Sequence, residues 1–249
     1  MSDIYKYHGL GNDYLVMEPS AWQALPSKQA IMAICDRHHG VGSDGILWGP
    51  LPGETASTGF TVRIFNPDGS ETEKSGNGVR IFARHVWEHH TASNGPVTIR
   101  TLGGDTQAQV LDSEGRCFRV AMGPVRFDSE VIPVTGSPRE VLREPLTLDG
   151  AEWSINAVTI GNPHCVVLSE APTPTLAQRV GPLLETHPLF PNRTNVQFMQ
   201  VLNAHAIQIE IWERGAGYTL ASGSSSCAAA AVAVRLGLCQ SPVTVRMPG

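Results

Sequence analysis

The chain has 249 residues, 41% of them hydrophobic and 16% charged, with a formal net charge of −5 at pH 7 and a pI near 6.0. That length allows two compact regions with real cores, and the acidic balance, without any Lys/Arg cluster, excludes the electrostatic footprint of a nucleic-acid or acidic-membrane binder. The first ten residues lack the apolar core of a secretion signal, no stretch approaches the roughly 20 apolar residues of a transmembrane helix, and the five cysteines form no framework, so a small-molecule partner and a reducing cytoplasm are expected.

In chain order, most of the sequence reads as short strands between Gly, Pro and Asp turns. Residues 31–36 read as helix. Gly40, Gly42 and Gly45 then spell G-x-G-x-x-G, but no helical run follows, which argues against a dinucleotide fingerprint. Alternation over residues 61–65 and 207–211 predicts strands with one buried face. After Gly76, the spacing of Val79, Phe82, Ala83 and Val86 predicts an amphipathic helix. His85 and His89 share one face of it, and without a third ligand nearby in sequence that face is expected to be solvated rather than metal-binding. Strands are expected over residues 105–111 and 117–122, and residues 124–150, rich in proline and charge, read as the passage between halves. The expected domains are therefore residues 1–122 and 123–249. Residues 227–234, apolar on every side, predict a buried helix. Cys35, Cys117, Cys165, Cys227 and Cys239 show no C-x-x-C pairing and read as small core residues.

The most informative pattern is an internal repeat. Ile64, Thr72, Ser75 and Gly76 recur unchanged as Ile211, Thr219, Ser222 and Gly223, 147 positions later, with an aromatic after each isoleucine. Pro96-Val97-Thr98-Ile99-Arg100 is answered by Pro242-Val243-Thr244-Val245-Arg246, and Leu10-Gly11-Asn12 by Ile160-Gly161-Asn162. A duplication implies two similar lobes whose equivalent pieces can face each other across a cleft, so Ser75 and Ser222 are expected to do so. The first half continues well past Arg100 whereas the second ends at Gly249, so a final hairpin of roughly twenty residues is expected to be missing and strand edges left exposed.

Both serines precede helix-like runs, where unpaired backbone N–H groups and the positive end of the helix dipole gather. Gly76-Asn77-Gly78 and Gly223-Ser224-Ser225 would let a carboxylate approach those amides closely. Serine is also a preferred N-cap, so either one alone reads as structural. Equivalent caps in both halves are what a shared binding cleft would produce.

Several motifs together resemble the diaminopimelate epimerases, amino-acid epimerases that use no pyridoxal phosphate. They are Lys6-Tyr7-His8-Gly9-Leu10-Gly11-Asn12-Asp13-Tyr14, residues 37–45, Asn66-Pro67-Asp68-Gly69-Ser70 through Ser75-Gly76-Asn77-Gly78-Val79-Arg80, Gly161-Asn162-Pro163-His164, Arg193-Thr194-Asn195 and Glu213-Arg214-Gly215-Ala216-Gly217. The resemblance covers essentially the whole chain. It implies an α+β fold of two similar lobes, each a curved β-sheet around a central helix, with the active site in the cleft between them. It implies a soluble cytoplasmic enzyme, with a homodimer as one assembly it allows, that interconverts LL- and meso-2,6-diaminopimelate without cofactor or metal.

Residue by residue, the resemblance places Ser75 and Ser222 at the two acid/base positions, both cysteine in the family, with His164 and Glu213 beside them. It assigns substrate binding to Asn12, Asn66, Asn162, Asn195, Glu213 and Arg214, and carboxylate-holding amides to Gly76, Asn77, Gly223 and Ser224. Arg214 suits the second carboxylate of a dicarboxylic amino acid, because its fork grips both oxygens. Each asparagine alone reads as a turn residue that bonds its own backbone. The serines are a large departure, since a thiol with a reference pKa of about 8.5 is readily ionised at a helix N-terminus and a hydroxyl is a far weaker acid. Tyr218, where the family usually has glutamate, and Ser224-Ser225-Ser226, in a run usually richer in glycine, depart too. Two alternatives therefore stand beside epimerisation: a related isomerase, racemase or lyase using His164 or Glu213 as base, and a catalytically silent amino-acid-binding protein.

Overall fold

A computed structural model describes residues 4–22, 24–91 and 95–249. By backbone contacts the chain divides into two compact units, Met1–Gly123 and Pro124–Gly249, and both are α+β.

In the first unit, β1 (Ile4–Gly9) and β2 (Asn12–Met17) form an antiparallel hairpin, closed by Leu10 and Gly11 at φ of 55° and 83°. The helix α1 (Lys28–Cys35), capped by Ser27, leads through a loop to β3 (Ile46–Trp48), parallel to β2. Then come β4 (Phe60–Thr61), β5 (Arg63–Phe65), β6 (Glu71–Thr72), α2 (Gly76–His89), β7 (Val97–Thr101), β8 (Gly104–Val110) and β9 (Phe118–Val120). The sheets run β1-β2-β3-β5-β6 and β4-β7-β8-β9. Alternation along β2 sends Leu15 and Met17 to α1 and Tyr14 and Val16 to α2, whose Val79, Phe82, Ala83 and Val86 are buried as their spacing predicts. The far side of α2 is covered by β8 and β9, so this helix is the centre of the unit.

The second unit comprises β10 (Glu144–Leu148), β11 (Ala151–Thr159), β12 (Pro163–Leu168), α3 (Pro174–Glu185), β13 (Asn195–Asn203), β14 (Ala206–Glu213), β15 (Gly217–Thr219), α4 (Gly223–Arg235) and β16 (Thr244–Arg246). Its strands make one sheet, β10 through β15 in order, with β16 also on β14. One face packs on α3 through Cys165, Val167, Val196 and Phe198, the other on α4 through Val166, Met199, Ile207, Ile209 and Ile211. The duplication is visible in the strand registers. Ile64 pairs with Thr72 as Ile211 pairs with Thr219, and Phe60 pairs in parallel with Ile99 as Ile207 does with Val245.

Five local expectations need correction. Cys117 is exposed and Cys227 only half-buried, so of the five cysteines Cys35, Cys165 and Cys239 are the core residues. Residues 61–65 are not one strand: the chain leaves one sheet for the other at Val62, whose amide donates to the Arg100 carbonyl. Residues 124–150 are not a bare connection, because Ile132, Val134 and Val141 are buried in the α3-side core and β10 lies among them. The helix α4 is not buried all round: Val234 is 42% exposed, and with Ala230, Ala231, Val125, Phe127 and Val243 it lines an open apolar groove of about 400 Å³. His85 is not on a solvated face but completely buried. The outer edge of β16 has no strand partner among the described residues, where no helix is long and apolar enough to cross a membrane.

Gly181 in α3 shows how tightly the second unit is packed. A Cβ there would lie 2.6 Å from both Cβ and Cγ of Trp212, whose indole N–H is tied to Glu185 Oε2 at 2.7 Å and so cannot move aside freely. Replacing a helical glycine by alanine gains up to about 1 kcal/mol of propensity, whereas overpacking a core costs about 1–3 kcal/mol. Packing should win. Gly181→Ala is expected to lower the urea midpoint, corresponding to a net loss of about 1–2 kcal/mol; an unchanged or raised midpoint would show that the Trp212 contact is soft.

Candidate active site

In the first unit the candidate residues gather where β6 gives way to α2. Ser75 has extended backbone angles (φ −132°, ψ 120°) and its Oγ accepts the Gly78 amide at 3.0 Å, a standard N-cap bond. Glycine at 78 is what lets the cap close, since a Cβ there would sit 3.1 Å from both Ser75 Cβ and Leu47 Cδ2. The Tyr14 hydroxyl lies 3.1 Å from the same Oγ. Lys74, 4% exposed, donates from Nζ to the Met122 carbonyl at 2.8 Å, placing a buried ammonium on the residue before the cap.

Asn77 and Asn12 are joined side chain to side chain at 3.2 Å, and Asn77 also accepts from Arg80. Asn12 Nδ2 donates in turn to Asp44 at 3.0 Å. Behind them Asp13 meets Arg37 at 2.6 Å and Lys6 at 3.1 Å. Burial alone would raise the Asp13 pKa, but the hydrogen bonds from Arg37 and Lys6 outweigh it and hold the carboxyl at about 2. Asn66 stands apart: its Nδ2 donates to Ser70 Oγ at 3.0 Å and its amide to the Ser70 carbonyl at 2.8 Å, so it closes the turn after β5.

In the second unit Ser222 repeats the cap, with φ −147°, ψ 121° and Oγ accepting the Ser225 amide at 3.3 Å. It is 2% exposed, its Oγ lies 3.3 Å from Ser224 Oγ, and its amide donates to Met247 Sδ at 3.4 Å. Gly223 and Ser224 open α4 just as Gly76 and Asn77 open α2.

The remaining candidates share one end of the sheet, because β12 and β13 begin there and β14 ends there. Asn195 uses both arms of its amide, donating to the Pro163 carbonyl at 2.9 Å and accepting the Arg214 amide at 3.0 Å. Arg214 Nη1 donates to the Asn192 carbonyl at 3.2 Å. Glu213, half-buried, accepts from the Thr219 hydroxyl at 3.2 Å. Asn162 Oδ1 lies 3.0 Å from Nε2 of His164, which is wholly buried. Desolvation pushes that imidazole down to about 3, only partly offset by Gln197 beside it, and its Nδ1 has no hydrogen-bond partner. A neutral ring locked in this way suits holding Asn162 better than abstracting a proton. Tyr218 is engaged as well: its hydroxyl donates to Glu210 at 2.7 Å, and burial followed by that bond raises it to about 12.

Sequence reasoning did not single out Tyr14 or Lys74. Tyr14 closes a quoted motif and falls on the α2 face of β2 by simple alternation, so its contact with the cap was within reach; a buried lysine had no periodic signal. Gln197, which donates from Nε2 to Ser225 Oγ at 3.0 Å inside the second unit, was likewise invisible.

These capped helices and asparagine clusters have relatives. The diaminopimelate epimerase family model matches residues 4–127 and 156–249. A protein named diaminopimelate epimerase 2 from Nostoc sp. is 54% identical over 246 residues, which is 99% of this chain and 85% of the relative. The diaminopimelate epimerase of Pelotomaculum thermopropionicum is 42% identical over 97% of this chain and 87% of its own length. Among solved structures, a hydroxyproline epimerase from Agrobacterium vitis superposes with a TM-score of 0.68 at 14% identity, over 95% of this chain and 78% of that one, a likeness of fold alone. With more than half the chain matched by one family model and relatives of the same name aligned along nearly its whole length, the protein belongs to the diaminopimelate epimerase family.

Proposed function

We propose that the protein interconverts LL- and meso-2,6-diaminopimelate by proton transfer at the α carbon, a step of lysine and cell-wall precursor synthesis, with Ser75 and Ser222 in the two acid/base positions. The observation that carries this reading is the same hydroxyl-capped helix N-terminus in each unit of a chain belonging to this family. Epimerisation needs an acceptor for the proton leaving one face of the carbon and a donor to the other. The first amides of α2 and α4, at Gly76, Asn77, Gly223 and Ser224, lie outside the intrahelical ladder and suit the α-carboxylate. Binding of that carboxylate also acidifies the α C–H, by offsetting the charge that develops on it.

In this reading Tyr14 supplies what serine lacks. A phenol has a reference pKa of about 10, far closer to neutrality than a serine hydroxyl, so at 3.1 Å Tyr14 as its phenolate can take the Ser75 hydroxyl proton while Ser75 Oγ takes the proton leaving the α carbon. Each pKa unit recovered is worth about 1.4 kcal/mol of driving force. Ser222 has the Ser224 hydroxyl in the equivalent contact, so the two steps are unequal, with the base more readily generated on the Ser75 side. Arg214 holds the distal carboxylate, with Asn195 fixing its backbone, and His164 orients the Asn162 amide. Glu213 completes the binding set beside Thr219.

Two sets of measurements test this. In deuterium oxide, the parent should incorporate one α deuterium into diaminopimelate, and Tyr14→Phe should slow that by at least about tenfold, the lower end of general acid–base contributions being about a hundredfold. Ser75→Cys with Ser222→Cys should raise exchange by orders of magnitude and each single change far less, because one thiol still confronts a poor partner. A double variant that folds and binds yet exchanges no faster than the parent removes these residues from the acid/base role, and binding with no exchange in any variant makes the protein an amino-acid-binding module. Separately, Arg214→Met should raise KM for diaminopimelate at least about tenfold with a smaller change in kcat, as loss of a contact equal in ground and transition states requires. An unchanged KM would move the distal carboxylate elsewhere.

A further inference from the structure

We infer that Glu18, His85 and His90 form a binding site for a divalent transition-metal ion of the zinc type in the first unit. This stands independently of the epimerase reading. Glu18 Oε1 lies 2.7 Å from His85 Nε2 and 2.8 Å from His90 Nε2, and the three donor atoms fall within 4.8 Å of one another. Convergence of His85 and His90 needs local geometry. Five residues along an α-helix turn about 140° past a full revolution, which would set the rings apart. His90 is instead the C-cap of α2, with φ −127° and ψ −7°, and this departure returns its ring to the Glu18 side.

The hydrogen-bond inventory points the same way. Beyond His85 the line continues from its Nδ1 to the Tyr7 hydroxyl at 3.2 Å, and from that hydroxyl to Glu88 Oε2 at 2.9 Å. Glu18–His85, His85–Tyr7 and Tyr7–Glu88 are thus three close contacts in series, but a neutral imidazole and a phenol bring only two protons. If Tyr7 donates to the Glu88 carboxylate, its oxygen accepts from His85 Nδ1–H, with His89 Nε2 at 3.4 Å as a second donor. In that tautomer the His85 Nε2 lone pair points at a carboxylate oxygen, and a positive charge between them would satisfy both. Either an added proton or a metal ion supplies it. The ion also explains why His90 is aimed at the same oxygen. Ligand histidines usually donate their other N–H to a fixed acceptor, and here the Tyr7 oxygen, itself held by Glu88, can fill that place.

The surroundings favour a cation. The site sits at the C-terminal end of α2, where unpaired carbonyls carry partial negative charge. Tyr5 and Phe60 wall it, with ring centroids 4.8 Å from His85 and 6.1 Å from His90. His85 is inaccessible, but the side chains of Glu18 and His90 are 18% and 26% exposed, so an ion can reach the site from solvent. Two imidazoles and one carboxylate match zinc, and three protein ligands leave a fourth position for water. Bond lengths of about 2.0–2.1 Å put tetrahedral ligand atoms about 3.3 Å apart, so the two histidine–carboxylate contacts would open by about half an ångström while the two imidazole nitrogens, which lie within 4.8 Å of each other, would adjust to the same spacing.

The test uses the whole chain, stripped with chelator and titrated with zinc chloride by calorimetry and thermal melting. One equivalent should bind saturably and raise the melting temperature, and Glu18→Gln and His90→Gln should each weaken binding at least tenfold. Two substitutions at separate places keep the test meaningful if one protein folds poorly. Replacing the exposed pair His38 and His39 by alanine should leave binding unchanged. Absence of saturable binding, or binding that survives both Glu18→Gln and His90→Gln but falls with the His38/His39 change, overturns the site; in the first case a proton on His85 fills the position.

Discussion

A serine oxygen that accepts the amide three residues ahead fixes, in each unit, the point where a strand pair ends and a helix begins. Such a cap contributes about 1 kcal/mol, but its geometric effect is larger. With one lone pair of the oxygen committed to the Gly78 or Ser225 amide, the second lone pair and the hydroxyl proton are left for Tyr14 in one unit and Ser224 in the other. The same amide stabilises negative charge on the oxygen if the proton leaves. In the proposed reaction one bond would therefore serve both as fold punctuation and as part of the chemical apparatus, and it recurs in both units with similar backbone angles.

Around the first cap the charged residues are organised for rigidity rather than for reaction. Asp13 and Asp44, held by Arg37 and Lys6, brace the β1–β2 hairpin against the loop after α1, and Asn12 carries that brace to Asn77 on the first turn of α2. The second unit reaches a similar end by tying strand ends and loop together through the amides of Asn195 and Asn162 and through the buried Glu185, which accepts from the Gly215 amide and the Trp212 indole. In both, the polar groups that would meet a substrate are positioned by others that do not.

What could be read from the sequence was what depends on short-range pattern. The α2 core face came from Val79, Phe82, Ala83 and Val86, and the repeat carried the Ile64–Thr72 and Ile211–Thr219 pairings. What escaped depends on contacts between distant positions. Alternation over residues 61–65 is the same whether the strand stays in one sheet or crosses to another at Val62. Isolated apolar residues such as Ile132 and Val141 leave no periodic trace among prolines and charges, yet they fill a core. His85 read as solvated because its partners Tyr7 and Glu18 lie 78 and 67 positions away, and the Tyr14 contact to Ser75 spans 61. His164 was named as a base from its motif, whereas its complete burial is a property of the whole sheet.

The arrangement of β14 carries a consequence for how the second unit comes apart. Its first residues bond to β13 on one side and β16 on the other, and its last to β13 and β15, so β14 cannot leave without releasing three neighbours. The segment should open only with the rest of its sheet, as one cooperative block whose amides exchange at the rate of global unfolding. The first unit has no such spine. Where Val62 passes between sheets the ladder is interrupted, so β4, β7, β8 and β9 are held to β1, β2, β3, β5 and β6 through the side-chain core around α2 instead of through strand hydrogen bonds. Two halves descended from one pattern thus differ less in what they hold together than in how they would let go.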